Sequence, residues 1–273
     1  VKLSEENNQD LICHTLVWHN QIPDWVTRKG DGSLVSDNTL YRNIFDHISS
    51  VAGRYSGKIK GWDVVNEAIL DDGSYRENDF YKISADEYIF KSFEIAHKID
   101  PNAELYYNDF SMYKPEKCDA AIRIANKILE RGLRIDGIGL QAHWGLDYPS
   151  IDEIETSILK IHEAGFRVHF TELDIDVLPN LWEIEGADLS DNFKSNDQLN
   201  PYKSSLPDSI SDLLSDRYSE IFELFDKHND KIDRVTFWGL SDGHSWKNDW
   251  PAKGRTNYPL LFDRENNPKK AYK

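Results

Sequence analysis

Short apolar, β-branched or aromatic runs alternate along the chain with stretches whose apolar positions recur every three to four residues. The short runs predict strands over Leu11–Trp18, Ile59–Asn66, Glu104–Asp109, Gly137–His143, Arg167–Asp174 and Arg234–Leu240. The longer stretches predict amphipathic helices. Ser36 reads as an N-cap ahead of Leu40, Ile44, Ile48 and Val51. Ser84 with Glu87, and Ser150 with Glu153, have capping-box spacing, the first leading to Tyr88, Phe93 and Ala96. Pro115 starts a helix that carries Ala121, Ile124, Ala125 and Ile128 and stops near Gly132; Gly165 ends the helix that follows Ser150. Leu213, Leu214, Ile221 and Phe225 mark a last helix, and the polar stretch Asn180–Pro207 reads as a large loop.

Strands fed by helices run parallel, and unit lengths of about 30 residues suit an α/β barrel. No repeat, heptad or Gly/Ser linker divides the chain, so residues 1–273 are expected to form one domain. Six strands are visible, whereas a (β/α)8 TIM barrel needs eight.

Composition narrows the function. Lys and Arg number 32 against 48 Asp and Glu, a formal charge of −16. A field of that sign repels phosphate, which argues against nucleic acid or an anionic membrane as partner. No run approaches the roughly 18 apolar residues of a membrane span. Two cysteines cannot build a disulfide scaffold or a multi-cysteine zinc site. Val1–Gln9 lacks the charged-then-apolar pattern of a signal peptide. Eight Trp and 13 Tyr stand beside a single Met. Surplus Trp is commonly core; the second reading is a sugar cleft, where flat rings stack on pyranose faces.

Catalytic groups of βα-barrels stand at the C-terminal ends of strands. The predicted strand ends carry in turn His14, Trp18, His19 and Gln21; Asn66 and Glu67; Asn108 and Asp109; Gln141, His143 and Trp144; Glu172 and Asp174; and Trp238, Asp242, His244 and Trp246. One such residue can simply cap the next helix. Six sets in succession suit a site better. Glycosidic cleavage needs two carboxyl groups, one to protonate the leaving oxygen and one to attack the anomeric carbon or activate water. Glu67, ending W-D-V-V-N-E, and Glu172, ending H-F-T-E, fit that need. Either alone could be a structural ion-pair partner. Asn66 would lie near Glu67, where an amide can bond a sugar hydroxyl, and His143 could bridge Glu172 and Asp174. Metal-assisted hydrolysis through His14, His19 and His143 is a weaker reading.

The chain resembles family 10 glycoside hydrolases, the endo-β-1,4-xylanases. The resemblance rests on H-T-L-V-W-H-N-Q-I-P-D-W (His14–Trp25), W-D-V-V-N-E-A (Trp62–Ala68), Y-N-D-F (Tyr107–Phe110), G-L-Q-A-H (Gly139–His143), T-E-L-D (Thr171–Asp174) and W-G-L-S-D with Trp246. It implies a (β/α)8 barrel and hydrolysis with net retention. By position Glu67 matches the acid/base and Glu172 the nucleophile, with His143 and Asp174 orienting the latter. Asn66, His14, Trp18, Gln21, Asn108, Gln141, His143, Trp238 and Trp246 match substrate contacts. The resemblance implies no cofactor or metal. Expected partners are xylan and xylo-oligosaccharides, with an attached or inserted carbohydrate-binding module as an option. A monomer acting outside the cell or at its surface is expected.

Two departures accompany the match. In the family the H-T-L-V-W-H segment is the third strand, and nothing in Val1–Asp10 resembles the first two, so six strands of eight are expected here. Three explanations fit the missing quarter: a shortened chain, a separate fragment, or another module inserted at this point; one of the last two is expected, because an open sheet edge is poorly soluble. Phe110 stands where many members have Tyr, which withdraws a hydroxyl on the leaving-group side but keeps a stacking ring. The alternative readings are another barrel glycosidase, such as an endoglucanase or mannanase, or a non-catalytic glycan-binding fragment.

Overall fold

The computed structural model describes residues 1–179, 199–251 and 253–272. They form two compact units, one of Val1–Leu140 with Ser157–His169, the other of Gln141–Thr156 with Phe170–Lys273.

The first unit runs α1 (Lys2–Glu6), β1 (Ile12–Cys13), β2 (Val17–Trp18), α2 (Asp37–Val51), β3 (Gly61–Asn66), α3 (Asp79–Ser84), α4 (Glu87–Ile99), β4 (Glu104–Asp109), α5 (Pro115–Glu130) and β5 (Gly137–Leu140). β1 and β2 both pair with β3, β3 pairs with β4, and β4 with β5, all parallel. Every residue of β3 is buried, as a central parallel strand covered on both faces requires. Gly61 is forced by its neighbour: a β-carbon there would lie 2.4 Å from the Tyr106 ring. Leu40, Ile44 and Ile48 make the buried stripe of α2, and Tyr88, Phe93 and Ala96 that of α4. Each Leu, Ile or Phe among them, taken fully from water, contributes about 1.5–3 kcal/mol.

The second unit holds β6 (His143–Gly145), most of β7 (Arg167–Asp176), α7 (Asp208–Lys227) and β8 (Ile232–Phe237). The chain passes from one unit to the other after Leu140, within α6 (Ile151–Glu163) and within β7. β6 pairs parallel with β7, and β8 also pairs with β7. Trp144, Phe170 and Phe225 form its aromatic core, the last two stacked at 4.2 Å.

The expected helices are present, with two corrections. Ser36 caps α2 by accepting the Thr39 amide at 3.3 Å, and Pro115 is the first residue of α5. Ser150 and Glu153 form the reciprocal box: Ser150 N–H donates to the Glu153 carboxylate at 2.8 Å, and Glu153 N–H to Ser150 Oγ at 3.3 Å. Gly165 takes φ 89° beyond α6. Ser84 does not cap α4. It ends α3, its hydroxyl bonds back to the Phe80 carbonyl at 3.2 Å, and Ala85 (φ 50°) turns the chain before α4 begins. Leu213 belongs to α7 but is 53% exposed, off the buried face.

Two expected strands are broken. Leu11–Trp18 becomes β1 and β2, because Thr15 and Leu16 both turn to the Asp63 carbonyl at 2.9 Å. Gly137–His143 becomes β5 and β6, because Ala142 adopts φ 63°. The loop expected over Asn180–Pro207 lies outside the described residues as far as 198; residues 199–207 carry no helix or strand.

Candidate active site

Strand register assembles the first group. Trp18 of β2 is level with Asn66 of β3, and Asn66 with Asn108 of β4. In parallel strands a common register puts these side chains in one row at the strand ends. Asn108, fully buried, donates its amide to Asn66 Oδ1 at 3.0 Å. Asn66 is thereby oriented to direct its own NH2 at Glu67 Oε1, 3.3 Å away. The Trp18 indole N–H donates to the other carboxyl oxygen, Oε2, at 2.9 Å. The sequence-predicted Trp18, Asn66, Asn108 and Glu67 are therefore one hydrogen-bonded group.

His14 joins it through a residue that the motif reading passed over. Its Nδ1 is 3.0 Å from Oδ2 of Asp63, an acid only 3% exposed in the middle of β3. An acid inside an apolar strand was the available signal, since a buried carboxylate needs a partner. Gln21 takes φ 54° and lines a cavity of about 310 Å³ with His19, Arg28 and Asp79. Burial holds the His19 pKa below its usual value, the nearby Arg76 cation adds to that, and Glu67 opposes it. The His19 ring is therefore neutral near pH 7.

The second group stands on β6, β7 and the segment after β8. His143 is level with Asp174 across the β6–β7 pair. Its Nδ1 is 2.9 Å from Asp174 Oδ1 and its Nε2 is 3.2 Å from Glu172 Oε2. Ionised carboxylates only accept hydrogen bonds, so both ring nitrogens carry hydrogen and the ring is an imidazolium. Burial works against that charge, but the Asp174 carboxylate and the bonds to Asp174 and Glu172 outweigh it, raising the His143 pKa to about 9. Burial likewise opposes ionisation of Asp174, yet His143 and Lys247 hold its pKa below the ordinary carboxylate value.

Trp246 completes this group. Its indole N–H donates to Asp174 Oδ2 at 2.8 Å, and its ring is 4.8 Å from the His143 ring. Lys247, only 7% exposed, stands 3.5 Å from Asp174 and 3.6 Å from Asp176. Neither Lys247 nor Asp176 was singled out by sequence; Lys247 is remote from its acids along the chain, and no local pattern marks it. Glu172 is 4% exposed. Half-buried Trp238 is anchored beside it by a backbone bond to Leu173 at 3.1 Å. Gln141 is buried just past β5.

Each group presents one glutamate in a web of neutral and cationic donors. Such donors fix the rotamer of the carboxyl group, which a nucleophile or a proton-transfer residue needs.

Comparison with known proteins adds an independent line. The family model described as Glycosyl hydrolase family 10 matches residues 1–273. The chain is 45% identical over 264 residues to endo-1,4-beta-xylanase A of Xylanibacter ruminicola, covering 97% of this chain and 72% of that protein. It is 39% identical over 264 residues to an endo-1,4-beta-xylanase of Geobacillus stearothermophilus, covering 95% of this chain and 74% of the relative. Among solved structures it is similar to a GH10 endoxylanase from a sugarcane soil metagenome, with TM-score 0.91, 43% identity, and 99% of this chain matched to 77% of that one.

Proposed function

We infer, from the premise that this chain belongs to glycosyl hydrolase family 10, that it is a retaining endo-β-1,4-xylanase of (β/α)8 fold acting on xylan and xylo-oligosaccharides. The observation that carries this is the full-length family match, joined to relatives named endo-1,4-beta-xylanase at up to 45% identity. The site chemistry is compatible with it. No cofactor enters the reaction proposed below.

The proposed roles follow from what each group can do. Glu67 in its acid form gives its proton to the glycosidic oxygen as the bond from that oxygen to the anomeric carbon breaks. Glu172, ionised, attacks the anomeric carbon from the opposite face, and a covalent glycosyl-enzyme forms. Glu67, now a carboxylate, takes a proton from water as the water oxygen attacks the anomeric carbon. Glu172 leaves as a carboxylate and the anomeric configuration is retained. Support for the nucleophile's role is the His143 imidazolium, whose Nε2 hydrogen holds one Glu172 oxygen in place. Support for the acid's role is orientation: the Trp18 indole and the Asn66 amide each hold one oxygen of the Glu67 carboxyl. We also propose that the enzyme acts outside the cell, because a polymer such as xylan is too large to enter intact.

The test compares initial rates on xylan, cellulose and mannan and follows the first-formed anomer by proton NMR. Faster cleavage of xylan, with the β-anomer appearing first, is expected. A preference for cellulose or mannan, or the α-anomer first, would overturn the reading.

A further inference from the structure

Glu67 has a backbone that ordinary residues avoid. Its φ of 57° lies in the left-handed region, where a β-carbon crowds the following carbonyl oxygen. Glycine would relieve the strain but carries no carboxyl group. The conformation must therefore be held by its surroundings.

Three hydrogen bonds hold it. The Glu67 amide donates to the Asn108 carbonyl at 3.0 Å. The Glu67 carbonyl accepts from Arg76 Nε at 3.1 Å. The next amide, that of Ala68, donates to the Tyr107 hydroxyl oxygen at 3.1 Å. The first two use groups that any extended neighbour or surface arginine can supply. The third depends on a hydroxyl hydrogen pointing elsewhere, because a rotating hydroxyl accepts poorly from a fixed direction.

Asp109 fixes that rotation. The Tyr107 hydroxyl donates to Asp109 Oδ2 at 2.6 Å, which leaves its lone pair for Ala68. The other Asp109 oxygen accepts the Phe110 amide at 2.9 Å and stands 3.0 Å from Lys117 Nζ. Asp109 and Lys117 both have side chains of zero exposure. The ammonium lies 3.4 Å from the centre of the Phe110 ring and 3.2 Å from Asp71, on the loop that leaves Glu67. The connections thus close on themselves: Glu67 and Ala68 to Tyr107, Asp109, Lys117 and Asp71, and back along the chain.

A fully buried ion pair is a poor way to stabilise a fold, since apolar residues of equal volume commonly do as well or better. Burial raises the Asp109 pKa to about 6 even with Lys117 and the Tyr107 hydroxyl drawing it down. The pair is better explained by what it orients. We propose that Tyr107, Asp109 and Lys117 are positioning residues that lock the left-handed backbone of Glu67 and so aim its carboxyl for proton transfer, an inference that rests on Glu67 being the acid/base. Phe110 belongs to the same device, as the ring that covers the Lys117 ammonium.

The role is separable from a merely structural one by leaving group. Proton donation matters for a poor leaving group and little for an activated one. The experiment measures kcat/KM on phenyl and 2,4-dinitrophenyl β-xylobioside for the native enzyme, Tyr107→Phe, Lys117→Met and Glu67→Ala. Tyr107→Phe is expected to lower kcat/KM for the phenyl substrate about 10-fold or more while leaving the dinitrophenyl substrate within about twofold. Lys117→Met should show the same selectivity, and Glu67→Ala the same selectivity with a larger loss. Equal losses on both substrates in folded Tyr107→Phe, or no loss on either, would overturn the positioning role. Equal losses in Glu67→Ala would instead overturn the acid assignment. Should Lys117→Met fail to fold, Tyr107→Phe, which removes one oxygen atom, still decides the matter.

Discussion

His143 between Glu172 and Asp174 makes the second group a charged triad, and charge gives it a pH dependence. Its folded pKa of about 9 lies above the reference value of 6.5. A raised histidine contributes stability that is fully present below the lower value and is lost as pH climbs through the upper one. Melting temperature should therefore fall between pH 6.5 and 9, and His143→Asn should remove about half of that fall or more. Thermal unfolding of both proteins across this range checks it; parallel curves would refute it. If Glu172 has the role proposed for it, Glu172→Ala should lower turnover roughly 10⁴-fold or more, because a retaining reaction has no first step without its nucleophile. On the same proposed role, Lys247→Met, acting through Asp174 and His143, should lower kcat/KM equally for phenyl and dinitrophenyl substrates, since both would need Glu172 as nucleophile. That equality contrasts with the selectivity expected of Tyr107→Phe. The two glutamates, Asn66, Trp18 and the His143–Asp174 pairing were legible in the sequence because each closes a contiguous motif. Asp63, Lys117 and Lys247 were not, because each finds its partner only across the fold: Asp63 with His14, Lys117 with Asp71, Lys247 with Asp174.

At the scale of elements, two serines with the same spacing behave differently. Ser150 exchanges both bonds with Glu153. Glu87, the intended partner of Ser84, instead gives its carboxylate to Arg131 at 2.6 and 2.8 Å. A capping box needs both residues free to exchange bonds; here Ser84 closes the last turn of α3 and Glu87 pairs with Arg131. Ser150→Ala should therefore cost about 1 kcal/mol. That is a melting-temperature loss of roughly 2–4 °C for a chain of this size. Ser84→Ala should cost less than half as much, because it loses only a bond within α3. Calorimetry of the two variants distinguishes them, and equal losses would contradict the assignment. The same competition explains the broken strands. Periodicity reads Leu11–Trp18 as continuous, but the Asp63 carbonyl draws in Thr15 and Leu16 and divides it. It reads Gly137–His143 as continuous, but the left-handed turn at Ala142 leaves β5 bonded to β4 and β6 to β7.

At the scale of the molecule, a formal charge of −16 bears on substrate encounter more than on chemistry. Undecorated xylo-oligosaccharides are neutral, so their kcat/KM should be nearly flat with added salt. Xylan carrying uronic acid side groups is repelled, so its kcat/KM should rise as salt screens the field. A salt titration with both substrates checks this, and identical responses would show that the field is not felt at the cleft. Sequence by itself determined the alternation of strands and helices, the family, and which two glutamates to propose as the acids, because apolar periodicity and contiguous motifs are written in near neighbours. Tertiary structure alone decided the conformation of Glu67 and the protonation of His143. Both depend on groups brought together from distant stretches, where burial and charge outweigh any local preference.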